Sequence, residues 1–377
     1  MRRAGRMQNW KGCFKNKRAR IVLMKSIIPN ELLLTQDPLS FFEDIYCVSQ
    51  KAIAASEGQI NYFYQIAESK ICLSFAGKGL VSAIIPSLAH LVIPAINNPD
   101  LTIVLWDSKT TQTPMPPPVW QREHLQKRGE ISSLSNNRIS TYFQCGANAL
   151  SVMDLEKNLG IYWVNKPEEL PYWETGSPLK NIFQQCFSQQ NQQIIHAGAV
   201  GLPTGGVLMV GKGGMGKSTT ALTCLQSDLF YLSDDYTLVS VDSLPHAYSL
   251  YSSAKKKPDD IERLPWLKPL IHNSNHLDQE KALYFLAEHF SERLINDFPL
   301  KAILIPRITG QVDSKLEPAS AIAALTALVP STIKQLPGTG KEACDRMTRL
   351  TQKLPSYYLN LGTDLAQIPQ VILNLLR

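Results

Sequence analysis

Two apolar periods run through the chain. Stretches dense in β-branched and aromatic residues, DLTIVLWDS at 100–108, ISTYFQCGANALSVMD at 139–154 and LGIYWVN at 159–165, predict strands. LKAILIPRI at 300–308 reads as a buried strand. Helices are predicted where apolar residues recur three and four apart, in PASAIAALTALV at 318–329 and DLAQIPQVILNLL at 364–376. SPLKNIFQQCFSQQ at 177–190 predicts another, with Ser177 near its N-cap and Pro178 in its first turn. Between 194 and 242 the order is strand, loop, strand, glycine-rich loop, helix, strand. No segment repeats at a fixed period.

One stretch interrupts these patterns. KTTQTPMPPPVWQREHLQKRGEISSLSNNR at 109–138 holds Pro114, Pro116, Pro117 and Pro118, and proline suits neither a helix interior nor a central strand. It predicts an exposed loop or linker. The chain, at 377 residues, is long enough for two cores. The expected division is a tail over 1–25, an N-terminal α/β domain over 26–110, the Pro-rich linker over 111–138 and a second domain over 139–377.

Charge changes the picture only through its location. The net +6 is concentrated in MRRAGRMQNWKGCFKNKRAR at 1–20, which has eight Lys or Arg and no acid. The remainder holds 30 basic and 32 acidic residues, so a nucleic-acid-binding face is not expected. The tail reads as a disordered extension, or as sequence preceding a start at Met24. The longest apolar run, SAIIPSLAHLVIPAI at 82–96, carries Pro86, His90 and Pro94. It falls short of the ~20 residues that span a bilayer, so a cytoplasmic protein without a membrane span is expected. Seven cysteines, with no CxxC pair, argue against a disulfide scaffold or a structural zinc site.

The chemistry is concentrated at 211–218. Gly211-Lys212-Gly213-Gly214-Met215-Gly216-Lys217-Ser218 matches the Walker A pattern G-x-x-x-x-G-K-[ST] in full, after the strand-like GVLMV and before the helix-like KSTTALTCLQS. Glycines let successive backbone N–H groups converge on phosphate oxygens, and the helix that follows presents its N-terminus to the same anion. Lys217 is placed to reach the β- and γ-phosphates of ATP, and the Ser218 hydroxyl to ligate Mg²⁺. The alternative is a glycine-rich turn with no ligand. PGTGKE at 337–342 lacks the first glycine and the final Ser or Thr, and reads as a turn. Asp234 and Asp235, in LFYLSDDYTLV, lie soon after the loop and suit the metal; a solvated turn is the competing reading. His196 ends an apolar run, where a satisfied core histidine is the commoner case. Lys255, Lys256 and Lys257 are phosphate candidates against a solvated cluster, and Arg307 a nucleotide candidate against a surface arginine.

IIHAGAVG, GVLMVGKGGMGKSTTAL and YLSDDYTLV together resemble the HPr serine kinase/phosphorylase family, and more distantly ATP-dependent phosphoenolpyruvate carboxykinase, which shares that fold. The resemblance extends loosely to LKAILIPRITGQVDSKLEPAS and YYLNLGTDLAQIPQVI, which look like HPr-kinase-like proteins associated with peptide modification. YQIAESKICLSFAG and DLTIVLWDS are similar to the N-terminal part of that subgroup. The fold implied is α/β, a P-loop kinase core with an additional N-terminal α/β domain. The activity implied is ATP- and Mg²⁺-dependent phosphorylation of a serine or other hydroxyl on a protein or peptide, and oligomers are implied too. By resemblance Asp235 is the base for the incoming hydroxyl, Asp234 and Ser218 the metal ligands, and Lys217 the phosphate clamp. His196 is a catalytic residue supporting the acids. Thr219 stands where the HPr kinases carry Glu, and their later metal-binding Glu has only Asp259 and Asp260 as poor counterparts. Alternatives of other classes are a small-metabolite kinase or carboxykinase, and a nucleotide-binding regulator without catalysis.

Overall fold

The computed structural model describes residues 36–242, 244–338 and 340–377. The basic tail expected over 1–25 lies outside them. The architecture is mixed α/β, built on two large sheets and a separate two-stranded ribbon.

The first sheet has seven strands: β1 (Gln59–Ile66), β2 (Ser69–Ala76), β3 (Val92–Ile93), β4 (Leu101–Asp107), β5 (Ile139–Gln144), β6 (Ala149–Asp154) and β7 (Leu159–Val164). Their spatial order is β3-β1-β2-β4-β7-β6-β5. Alternation sends the side chains of β7 to two cores: Ile161 and Trp163 face helix α1 (Pro38–Ala55), whereas Tyr162 and Val164 face helix α2 (Lys180–Gln189). β5, β6 and β7 therefore join the strands that precede the Pro-rich stretch. The change of sheet comes after Val164, and 111–138 is a connection within one sheet, between β4 and β5.

The second sheet comprises β8 (Gln192–Ile195), β9 (Ala197–Leu202), β10 (Gly205–Val210), β11 (Phe230–Ser233), β12 (Thr237–Ser240) and β13 (His246–Ser249), followed by the long β16 (Asp297–Ile308), β17 (Lys315–Ala319) and β18 (Ser356–Leu361). The ribbon pairs β14 (Ser253–Lys256) with β15 (Ala282–Phe285). β10 is covered on both faces. Val207 and Met209 enter a core shared with α3 (Lys217–Cys224) and α6 (Gln367–Leu376). Leu208 and Val210 enter another, shared with α4 (Ala321–Gln335) and α5 (Lys341–Lys353). That two-sided burial explains a run with no polar residue. α2 lies between the sheets: Ile182, Phe183 and Phe187 share one cluster with Leu73 and Leu105 of the first sheet and Ile194 and Leu238 of the second.

Among the described residues no helix is long and apolar enough to cross a membrane. The run 82–96 forms two short helical pieces and the short strand β3, with Leu88 and Leu91 in the core.

Candidate functional site

Strand register gathers the sequence candidates at one end of the second sheet. β9 runs antiparallel to both β10 and β11, pairing Ala197 with Val210 and Ala199 with Ser233. His196 precedes β9, Gly211 follows β10 and Asp234 follows β11, so all three stand at the same edge. A register shift between Tyr231 and Ser233 bends the chain just before the two acids.

The glycine-rich loop joins β10 to α3. Gly214 has φ +87° and Gly216 φ +102°, a region that side chains other than glycine's rarely enter. A Cβ on Gly216 would also run into Leu361 Cδ1. Lys217 is buried, and its Nζ donates to the carbonyls of Gly211 at 2.7 Å and Lys212 at 3.3 Å. Burial, opposed by Asp235 and Asp234, lowers its pKa. Gly213, Gly214, Gly216, Lys217, Ser218 and Thr219 form one wall of a cavity. Gly211, Lys212 and Met215 shape the loop from outside it, with Met215 Sδ accepting from the Lys212 N–H at 3.2 Å.

Asp235, His196, Tyr236 and Gln335 form another part of its wall. Asp235 Oδ2 accepts from Lys255 Nζ at 3.1 Å, and Oδ1 lies 3.8 Å from His196 Nε2, beyond hydrogen-bond reach. Burial works to raise the pKa of Asp235. The Lys255 ammonium outweighs it and holds the carboxyl well below the usual range, so it is ionised. Burial lowers the pKa of His196, with only partial relief from Asp235, so its imidazole is neutral at pH 7. His196 is not packed against hydrocarbon alone: its Nε2 lies 3.2 Å from Gln335 Nε2, and Gln335 Oε1 accepts from the Tyr236 hydroxyl at 2.7 Å.

Asp234 is buried behind this wall. Its Oδ2 accepts from the Lys255 backbone N–H at 3.2 Å, and its Oδ1 has no hydrogen-bond partner. Burial, then the charge on Asp235, raises its pKa, with the nearby Ser218 hydroxyl opposing. An unpartnered carboxylate oxygen beside a hydroxyl suits a hard cation that keeps few protein ligands, as Mg²⁺ does. Among the described residues no three His, Cys, Asp or Glu cluster as a metal site.

The lysine run proves divided. Lys255 and Lys256 are buried on β14, whose successive side chains point apart. Lys255 Nζ donates to Ser177 Oγ at 2.6 Å as well as to Asp235, and Lys256 Nζ to Thr219 Oγ1 at 2.6 Å. Lys257, Arg263, Lys281 and Asp260 also line the cavity, which thus presents six cations against two carboxylates. Such an excess suits a polyphosphate.

Other expectations end elsewhere. Arg307 stacks its guanidinium over the Tyr358 ring, 3.1 Å from the centroid, and does not line the cavity. Asp259 does not line it either. Ser177 is not an N-cap: α2 begins at Lys180, after Leu179 at φ +59°, and the Ser177 hydroxyl serves Lys255. Within PGTGKE, α5 begins at Lys341. Tyr172, Trp173, Tyr236 and Gln335 line the cavity without any sequence signal, since Gln335 meets His196 across 139 residues of chain.

No protein-family model matches this chain, and no curated protein matches it. Among solved structures it is similar to the Hpr(Ser) kinase/phosphatase from Coxiella burnetii, at 12% identity and a TM-score of 0.27. That match covers 48% of this chain and 95% of the other. It is a distant structural relationship and carries no functional argument.

Proposed function

We propose that the protein is an ATP- and Mg²⁺-dependent phosphotransferase that moves the γ-phosphoryl group to a hydroxyl, with a serine of a protein or peptide as the acceptor class. The supporting observation is the ionised Asp235 carboxylate, held by Lys255 across one cation-rich cavity from the glycine loop. A catalyst of this kind needs little beyond positioning and charge.

In the proposed step the loop N–H groups and Lys217 hold the triphosphate, Lys217 exchanging the carbonyls of Gly211 and Lys212 for phosphate oxygens. The acceptor oxygen bonds to the γ-phosphorus as the bond to the β-bridging oxygen breaks, and ADP leaves. The hydroxyl proton passes to Asp235. A carboxylate with so low a proton affinity is a weak base, so its main work is to orient the hydroxyl and accept the proton late. Lys217, Lys255 and Lys256 face the charge that spreads over the transferring oxygens. His196, neutral and beside Asp235, is a positioning residue. Asp234 and Ser218 would hold Mg²⁺, which supplies neutralisation of phosphate charge when bound.

The test is the full chain incubated with Mg²⁺ and γ-labelled ATP, with and without serine-containing peptides. Label on peptide serine, lost in Asp235→Asn while ADP binding is retained, is the expected result. Label confined to a small alcohol moves the acceptor class. Nucleotide binding with no turnover on any acceptor leaves a regulator, and full transfer by the Asp235 variant removes the base assignment.

A further inference from the structure

A second cavity opens beside the first. The two share Trp173 and Gln335. Tyr236 of the first cavity touches two residues of the second: its hydroxyl donates to Gln335 and accepts from Lys180 Nζ at 3.1 Å, with the ammonium 4.5 Å from the ring centroid. An acceptor whose hydroxyl reaches Asp235 therefore has its flanking part next to Lys180 and Trp173.

The chemistry of the second cavity is one-sided. Arg122, Lys127, Arg128 and Lys180 line it, and no Asp or Glu does; Glu123 and Glu130 of the same connection stay off its lining. Arg128 donates to the Leu336 carbonyl at 2.7 Å and the Lys334 carbonyl at 3.3 Å, which fixes the 122–131 loop to the end of α4 that carries Gln335. Neutral carbonyls leave its charge unbalanced. Gln126, Gln144, Asn181 and Gln335 add neutral amides to the lining. The cations call for carboxylates, and neutral amides beside them suit a peptide backbone.

The geometry points to the second cavity as the acceptor subsite, made for a peptide segment bearing Asp or Glu next to the phosphorylated hydroxyl. This inference rests on the phosphotransferase reading for what happens at Asp235, but binding in the subsite stands apart from turnover. Arg122 and Lys127 are exposed, so they supply specificity at little cost to folding.

The experiment measures binding without catalysis. Fluorescein-labelled dodecapeptides of equal length, each with one central serine flanked by Glu or by Gln, are titrated with the full chain in saturating Mg-ADP, and anisotropy is read at two salt concentrations. The acidic peptide is expected to bind at least tenfold tighter, with an advantage that shrinks in high salt. The double variant Arg122→Ala/Lys127→Ala is expected to lose most of that preference with its ADP affinity unchanged. Equal binding of the two peptides to the parent chain overturns the inference, as does an unaltered preference in the double variant. Displacement of the acidic peptide by succinate at matching concentration overturns it in favour of a small acid. If these binding results hold and no label is transferred, the phosphotransferase reading fails and the subsite remains.

Discussion

Replacing Lys255 by Met separates charge support from shape at the centre of the site. Lys255 Nζ lies 3.1 Å from Asp235 Oδ2 and 2.6 Å from Ser177 Oγ, and both bonds are lost. At 3.1 Å and an effective dielectric of about 20, the Coulomb attraction is about 5 kcal/mol. The Asp235 side chain is 27% exposed and His196 remains beside it, which roughly halves that figure to about 2–3 kcal/mol. At ~1.4 kcal/mol for each pH unit, the acid limb of the rate profile should rise by about two pH units. Burial then acts without the Lys255 charge to oppose it, and burial favours the neutral acid. The assay is kcat/KM for phosphoryl transfer between pH 4.5 and 8, for the parent, Lys255→Met and Lys255→Arg. The parent should be flat on the acid side. The Met variant should fall towards the acid end of that range, its limb displaced upward by the loss of the Lys255 charge, and Arg should restore the flat limb. Stability carries the same sign. The folded-state pKa of Asp235 is depressed, so its contribution is present above the unfolded value of about 4 and lost as pH falls. The melting difference between parent and Met variant should accordingly be full at pH 7 and narrow towards pH 3. Superimposable acid limbs in parent and Met variant would refute the claim that Lys255 keeps Asp235 ionised.

Other outcomes follow from neighbouring residues. Lys217→Ala should weaken ATP binding by about 10- to 100-fold, as expected for hydrogen bonds to a charged group, and depress transfer further; calorimetric titration with Mg-ATP checks this. Asp234→Asn should abolish Mg²⁺-dependent transfer while stabilising the fold at pH 8. Its carboxyl has a raised folded-state pKa, so its contribution is present below the unfolded value and lost as pH rises through about 6. Thermal melts at pH 4 and pH 8 should show a gain that is small at the lower pH and full at the higher, on the order of 1–3 kcal/mol. Gly216→Ala should cost about 1–3 kcal/mol of stability, because φ +102° and the Leu361 side chain both oppose a Cβ, and nucleotide affinity should fall with it.

Legibility in the sequence tracked how local each determinant is. The strand over GVLMV and the helix over KSTTALTC are where their patterns put them, because apolar period and glycine chemistry act within a few residues. LKAILIPRI lies within β16, and the apolar spacing at 318–329 and 364–376 falls on two helices, Ala321–Gln335 and Gln367–Leu376. The loop, the two acids and His196 were singled out as candidates, and their meeting depends on the β9–β10 and β9–β11 registers, which no local pattern encodes. Lys255 and Lys256 resembled a solvated run because lysine is rarely buried. Their burial depends on Asp235, Ser177 and Thr219, supplied from three other segments. The Pro-rich stretch suggested a break because proline excludes regular structure. It could not reveal that β5, β6 and β7 return to the sheet begun by β1 and β2, since that pairing is long-range.

The central claim is that the glycine loop seats a triphosphate with its end facing Asp235. A structure determined with Mg²⁺ and a non-hydrolysable ATP analogue tests it most directly. The expected result has Lys217 Nζ on phosphate oxygens instead of the Gly211 carbonyl. It also has Asp235 opposite the terminal phosphorus, with space for one hydroxyl oxygen roughly 3–3.5 Å from that phosphorus. A nucleotide bound away from residues 211–218, or a terminal phosphate pointing away from Asp235, would contradict it.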